Sequence, residues 1–138
     1  MKSIFLLTNG KWKEYQFDKI SDIKDLLTER NITIGEGSTI GEWSKIGEGS
    51  KIGARSTIGE WSTIGDKVIF KNSPLYIIGS KYIVNYYGNG KIQIGCKCHT
   101  FQEWLDKYEE IGKSERASPE VIQEYKRYID LIIQTYSK

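Results

Sequence analysis

Two tryptophans eighteen residues apart are the side chains in this sequence best suited to binding a ligand. The segment GEWSKIGEGSKIGARSTIGEWS, residues 41–62, begins and ends with the same four residues, so Trp43 and Trp61 recur in the same setting. Indole rings stack on flat ring systems, and the stacking of a base on an aromatic side chain contributes about 1–3 kcal/mol. The pair therefore indicates a platform for a flat ring such as a nucleobase.

Charged side chains flank the two tryptophans. Glu42 and Glu60 precede them, and Lys45 and Arg55 supply cations in the same stretch. An arginine binds a phosphate through two parallel hydrogen bonds, which fixes the orientation of the ligand. We therefore predict a ligand site made of these four residues and both tryptophans. In the alternative, the same residues form a contact between subunits, in which each tryptophan packs on a neighbour and each glutamate pairs with its Lys or Arg.

A second cluster, Cys96-Lys97-Cys98-His99, has the residue types of a metal site. A structural zinc site needs four ligands, with two to four residues between the members of a cysteine pair. The chain has no second Cys or His pair, so zinc would require ligands pooled from several subunits. Packing of two small residues at a strand end is the preferred interpretation, and we predict neither a metal site nor a cofactor.

The tryptophans lie in a six-residue repeat. Six successive units begin with Ile-Gly, at Ile34, Ile40, Ile46, Ile52, Ile58 and Ile64. A short fixed period indicates a parallel β-helix, and alternation along each strand predicts that the Ser and Ile of each unit face the core. The Gly and the two residues after it form the corner, where glycine tolerates a positive φ.

This repeat resembles the hexapeptide-repeat family, whose left-handed parallel β-helix has three hexapeptides in each triangular coil. The resemblance covers residues 31–70 and implies about two coils, with residues eighteen apart stacked above one another. Trp43 then stacks on Trp61, and both indoles are expected to be exposed. Only one of the three corners carries Trp on both levels, since the corner position holds Gly37, Trp43, Gly49, Arg55, Trp61 and Lys67.

Two coils bury too little apolar surface to be stable alone, and they leave open strand edges. We therefore expect residues 1–30 to cap the coils, and the resemblance implies a homotrimer. The predicted cap is a hairpin, with strands Ser3–Thr8 and Lys11–Phe17 joined by a type I′ turn at Asn9-Gly10. A short helix follows, with Ser21 as its N-cap.

Residues 71–138 predict a β-hairpin region followed by two helices. We expect three short β segments, a first helix that Thr100 and Glu103 cap and Gly112 ends, and a second helix that begins at Ser118-Pro119. The stretch GNGKIQIGCKCHTFQEWLDKYEEIGK in this region also resembles small, uncharacterised phage-encoded proteins. That resemblance carries no known chemistry.

The predicted fold class is α+β, in one compact unit with segments 1–30, 31–70 and 71–138. The net charge is +2 with both signs spread along the chain. Because there is no block of basic residues, we predict that the partner is not a nucleic-acid polymer. The apolar run Ile4–Leu7 is too short for a signal peptide or a membrane span. Two cysteines are too few for a disulfide framework. We therefore expect a cytoplasmic protein, in the host cell if a phage encodes it.

Three functions remain open. The first is a non-enzymatic homo-oligomer that binds and sequesters a small anionic or nucleotide-like molecule, such as a host immune signal in a phage counter-defence system. The second is a structural or protein-interaction module without a small ligand. The third is a degenerate acyltransferase, because many hexapeptide proteins have that activity. Those enzymes use a His on or beside the coils, whereas the only histidine here is His99, so we predict no catalytic residues.

Overall fold

The computed structural model describes residues 1–137 and divides the chain into two compact units, Met1–Pro74 and a second that begins at Leu75. The first unit contains the 1–30 segment and the repeats. The sequence predicted a single compact unit, whereas the sheet and helices after Leu75 bury a core of their own. Within residues 1–137, no helix combines the length and the apolar character needed to cross a lipid bilayer.

The first unit opens with the predicted hairpin. Strands β1 (Lys2–Thr8) and β2 (Lys11–Phe17) pair antiparallel along their whole length. Asn9 and Gly10 both have positive φ, 52° and 78°, as a type I′ turn requires. The hairpin prediction is confirmed.

The repeats form short strands that pair in parallel with strands one coil away. Ile34 pairs with Ile52, Ile40 with Ile58 and Ile46 with Ile64, so the predicted interval of eighteen residues is confirmed. These pairs lie in three separate ladders. The strands are β3 (Thr33–Ile34), β4 (Thr39–Ile40), β5 (Ser44–Ile46), β6 (Lys51–Ile52), β7 (Thr57–Ile58), β8 (Thr63–Ile64) and β9 (Ile69–Phe70).

Isoleucine and serine fill the interior of the coils, as the alternation predicted. Ile46, Ile58 and Ile64 are fully buried, and Ser44 and Ser50 are buried beside them. Each of these serine hydroxyls donates to a glycine carbonyl fifteen residues further on, at 3.1 and 2.6 Å. The serines therefore tie successive coils together from inside.

Glycine has two different roles in the repeat. The glycine after each isoleucine lies against the next coil; a Cβ on Gly35 would come within 2.3 Å of the Ala54 nitrogen. The residue two positions after that glycine has a positive φ, a conformation that glycine adopts with the least strain. There φ lies between 55° and 76° at Gly37, Trp43, Gly49, Arg55, Trp61 and Lys67.

The N-terminal hairpin adds a strand to one ladder of the coils. β1 pairs in parallel with β5, so that Ile4 lies beside Ser44 and Leu6 beside Ile46. Ile4 and Leu6 are fully buried, and Leu6 continues the column formed by Ile46 and Ile64. The hairpin thus closes one ladder, as the prediction of a capping segment required.

A 3₁₀ turn (Ile20–Ile23) and helix α1 (Lys24–Glu29) follow the hairpin. The prediction that Ser21 is the N-cap is wrong, because Ser21 lies inside the 3₁₀ turn. The carboxylate of Asp22 satisfies the free amides instead, accepting from the Lys19 N–H at 2.9 Å and the Asp18 N–H at 3.1 Å.

The second unit is an antiparallel four-stranded sheet in chain order, followed by two helices. The sequence predicted three strands and missed the fourth; the four are β10 (Tyr76–Ile78), β11 (Ile83–Gly88), β12 (Lys91–Ile94) and β13 (Lys97–Thr100). The helices are α2 (Phe101–Ser114) and α3 (Pro119–Tyr136). Their shared core with the sheet includes Val84, Ile92, Trp104, Ile129 and Ile132.

The predicted caps of both helices are confirmed. The Thr100 hydroxyl accepts from the Glu103 N–H at 3.1 Å, and the Glu103 carboxylate accepts from the Thr100 N–H at 2.8 Å. The prediction that Gly112 ends α2 is wrong. The helix continues to Ser114, and Gly112 is needed because a Cβ there would come within 2.5 Å of the Ile122 side chain.

Candidate functional site

The two tryptophans stack on each other at one corner of the coils. Their ring centroids are 5.6 Å apart and their planes are inclined by 18°. Backbone hydrogen bonds fix the corner: the Trp61 N–H donates to the Glu42 carbonyl at 3.0 Å, and the Trp43 N–H donates to the Ser3 carbonyl at 2.8 Å. The repeat therefore holds the two rings in register from the backbone.

Phe5 of the hairpin adds a third ring to the stack. Its centroid lies 5.9 Å from that of Trp43, with planes inclined by 35°. We call Phe5, Trp43 and Trp61 the aromatic column. Trp43 is the middle ring and is half-buried, whereas Trp61 is 56% exposed. The expectation that both indoles are exposed is therefore right for Trp61 only.

Both tryptophans occupy a backbone conformation that bulky residues avoid. Their φ angles are 64° and 63°, and the equivalent positions in other units hold glycine at Gly37 and Gly49. An L-residue in the left-handed region costs roughly 1–2 kcal/mol relative to its right-handed form. Arg55 and Lys67 have the same conformation at their corners, so the strain belongs to the repeat as a whole and does not single out the tryptophans.

The spacing of the two indoles leaves no room for another ring between them. Carbon atoms in contact lie about 3.5–4.0 Å apart, so a ring inserted between two others needs them about 7 Å apart. Trp43 and Trp61 are closer than that, at 5.6 Å. The indoles therefore leave no room for a ring between them, and the exposed end of the column is Trp61.

Lys45 places a positive charge beside the column. Its Nζ lies 6.0 Å from the ring centroid of Phe5 and 5.8 Å from that of Trp12. Lys45 is half-buried, and no carboxylate within residues 1–137 forms an ion pair with it. The ammonium group is thus held by cation–π contacts, and its N–H donors remain available to an anion.

The other predicted site residues are arranged less closely. Glu60 is exposed and Glu42 half-buried, and neither forms an ion pair among the described residues. Arg55 lies at a different corner, stacked over Gly37. Its backbone N–H donates to the Glu36 carbonyl at 2.9 Å. Within one chain, the structure therefore does not bring Arg55 to the aromatic column.

Sequence reasoning missed Phe5 and Trp12 as neighbours of the site. Phe5 reaches the column because β1 pairs with β5 and places it beside Lys45. Trp12, on the other hairpin strand, is 37% exposed. The only signal available in the sequence was alternation, which directs Phe5 away from the core once Ile4 and Leu6 face inward.

The Cys-His cluster lies in the second unit. Cys96 is exposed in the turn between β12 and β13, and Cys98 is half-buried on β13, where burial raises the pKa of its thiol. The His99 ring packs edge-on against Trp104 at 5.0 Å, and its Nδ1 lies 4.0 Å from the Glu103 carboxylate. Across residues 1–137, no three His, Cys, Asp or Glu side chains come together as a metal site.

Comparison with known proteins identifies the repeats. Residues 31–66 match the family model described as bacterial transferase hexapeptide (six repeats). The match spans the strands from β3 to β8 and carries the implication of a left-handed β-helix. No curated protein and no solved structure matches the chain.

Proposed function

We propose, from the premise that residues 31–66 are a hexapeptide repeat of the bacterial transferase type, that this protein binds and sequesters a small nucleotide-like ligand without catalysing a reaction. One observation supports the proposal above the others. The aromatic column ends in the exposed face of Trp61, and the unpaired ammonium of Lys45 lies on the neighbouring ladder. A stacking ring and a cation along one aromatic column are the two groups that a nucleotide needs.

The backbone spacing sets how far a ligand must reach from Trp61 to Lys45. Lys45 lies beside Thr63 on the next coil, and Thr63 is two residues from Trp61. Two residues of a strand span about 6.6 Å, and neighbouring strands lie about 4.8 Å apart. In the proposed complex the base stacks on Trp61, and the phosphates extend back past Trp43 toward Lys45, whose Nζ lies beside Phe5 and Trp12 at the other end of the column.

The absence of catalysis is proposed from the position of the only histidine. His99 lies in the second unit, against Trp104 and Glu103. Hexapeptide proteins include many acyltransferases, and those enzymes need a histidine on or beside the coils. The repeats here have none, so a degenerate acyltransferase remains the third candidate.

We further propose a cytoplasmic homo-oligomer. Hexapeptide-repeat proteins commonly form homotrimers, and in such an assembly the Arg55 corner of one chain would face the Trp61 corner of another, where its guanidinium would bind the phosphate. Sequestration of a host immune signal by a phage protein is the biological setting in which such a binder acts, and it rests only on the resemblance of residues 88–113.

A protein-interaction module is the second candidate function. Ile69 is 65% exposed and, like Trp61, belongs to the first unit. A contiguous patch of exposed apolar side chains marks a surface that binds another protein. In that function the same residues would be buried by a protein partner and would show no preference for nucleotides.

Titration of the full chain with nucleotides tests the proposal. Indole fluorescence should be quenched by nucleoside monophosphates or cyclic nucleotides, but not by inorganic phosphate alone. Trp61→Gly should weaken binding by about 1–3 kcal/mol. Lys67→Gly is the matched control, because Lys67 has the same corner conformation, with φ of 55°, at a corner without Trp.

The outcomes separate the candidates. Arg55→Gly should weaken binding only if a neighbouring chain contributes the phosphate contact, and light scattering on each variant reports whether the oligomer survives. Absence of quenching by every nucleotide at millimolar concentration contradicts the ligand site. Dissociation of the oligomer by Trp61→Gly in the same experiments would identify the column as a subunit contact.

A further inference from the structure

A cavity of about 80 Å³ lies inside the second unit, between its sheet and its two helices. Its walls come from β12, α2, α3 and the loops that join them. Ala117, in the loop between the helices, lines the cavity with a side chain too short to fill it. Gly112 also lines it, and the Cβ that it lacks would meet Ile122 at 2.5 Å.

The walls are apolar although several of them are tyrosine and tryptophan rings. The Trp104 indole N–H donates to the Ile92 carbonyl at 2.9 Å. The Tyr125 hydroxyl accepts from the N–H groups of Lys81 and Tyr82, at 2.8 and 2.6 Å. Because these polar atoms are bonded to the backbone, the rings contribute carbon surface, and a water molecule inside would find few partners.

The lining residues that are exposed to solvent lie at the opening of the cavity. Cys96 is exposed, and the Lys97 Nζ lies 3.3 Å from a Glu115 carboxylate oxygen, with both side chains partly exposed. The ion pair joins the start of β13 to the loop after α2. The space is therefore apolar inside and charged at its edge.

We infer that this cavity is a binding site for a small apolar group, such as one six-membered ring or a short branched alkyl chain, carried by a molecule whose polar part stays in solvent. An apolar cavity of about 150 Å³ in another protein stays dry and binds benzene or xenon. The cavity here has about 80 Å³, so it encloses such a group in part and leaves its attachment point at the opening. The site lies in the second unit and does not depend on the aromatic column.

Cys96 provides a direct test, because a thiol at the opening can hold a probe over the cavity. In Cys98→Ser protein, bis(2-phenylethyl) disulfide and bis(2-hydroxyethyl) disulfide each react with the Cys96 thiolate, forming the mixed disulfide and releasing one thiolate. The adducts are then titrated with 2-mercaptoethanol and measured by mass spectrometry. We expect the phenylethyl adduct to resist reduction about tenfold better than the hydroxyethyl adduct, the ratio that 1.4 kcal/mol gives.

Two comparisons decide the outcome. Ala117→Leu fills the cavity and should abolish the preference, whereas Ala117→Gly leaves the space open and should retain it. Equal resistance of the two adducts on folded protein, or an equal preference in urea-unfolded protein, overturns the inference. A preference that persists in folded Ala117→Leu also overturns it, because the ring would then bind elsewhere.

Discussion

Removing the rings of Trp43 and Trp61 one at a time should separate stability from ligand binding, because the two rings occupy different places in the aromatic column. Glycine is the suitable replacement. Gly37 and Gly49 have φ of 75° and 76° at equivalent corners, close to the values of the tryptophans. Each substitution then removes an indole without changing the backbone, and the entropy that glycine adds to the unfolded chain is the same in both variants.

Trp43→Gly should destabilise the protein more than Trp61→Gly. A tryptophan side chain buries up to about 250 Å². Since 56% of Trp61 is exposed, roughly 110 Å² of it is buried, which contributes about 2.8 kcal/mol. Trp43 is more buried and has two ring partners, and each ring pair adds about 0.5–1.5 kcal/mol. We expect its substitution to lower the free energy of unfolding by about 1–3 kcal/mol more.

Ligand binding should show the opposite order. Trp61→Gly removes the exposed stacking face and about 1–3 kcal/mol of binding free energy, while Trp43→Gly leaves that face in place. Urea unfolding followed by far-ultraviolet circular dichroism gives the stabilities, and calorimetric titration with the best-binding nucleotide gives the affinities. If Trp61→Gly is the more destabilising change, or if Trp43→Gly weakens binding more, the order of rings described here is refuted.

Three further predictions concern the backbone, the helix contact and pH. Gly37→Ala should cost about 1–2 kcal/mol from its positive φ, and Gly35→Ala should cost more, because its Cβ would lie 2.3 Å from the facing backbone; chemical denaturation compares them. Gly112→Ala should destabilise α2 and α3 by about 1–3 kcal/mol through overpacking, measured by thermal unfolding. Hydrogen bonds from Ser80 lower the pKa of the Glu124 carboxyl below its ordinary value. Its contribution to stability is therefore present above the pKa of the unfolded chain and lost as the pH falls through the lowered pKa, and Glu124→Gln should flatten the acid side of a stability–pH curve.

The coils could be predicted because their pattern is strictly periodic and resembles a known repeat. The Ile-Gly pair recurs every six residues, and the three units per coil that the resemblance implies place Ile34 beside Ile52 and Trp43 above Trp61, as the structure has them. Short-range signals also predicted the Asn9-Gly10 turn. In each case the determining residues are local or strictly periodic.

Phe5 and Trp12 could not be placed in the site from the sequence. They reach Lys45 because β1 pairs in parallel with β5, which lies more than thirty residues further along the chain. Three ladders were available to the hairpin, and its own residues do not say which one it joins. Non-local strand pairing is set by packing of the whole unit, so the third ring of the column emerged only from the structure.

Local signals were misleading where tertiary packing competes with them. Gly112 has the sequence position of a helix C-cap, yet glycine is needed there because Ile122 on α3 lies too close for a Cβ. The residue with left-handed backbone after α2 is Arg116, with φ of 60°. The strand Lys97–Thr100 was missed because it has only four residues and no large apolar side chain. It forms because it pairs with Lys91–Ile94 along its full length.

The number of coils determines how many ring faces the aromatic column exposes. A residue repeated every eighteen positions gives a stack with one ring per coil, and such a stack has two ends however long it is. Phe5 is the ring at one end, where it contacts Trp43 and has the Lys45 Nζ over it, 6.0 Å from its centroid. The other end is Trp61, the most exposed tryptophan of the column. Two coils and one hairpin therefore leave Trp61 as the exposed end of the column in each chain, so a flat ligand bound there would occupy one site per subunit.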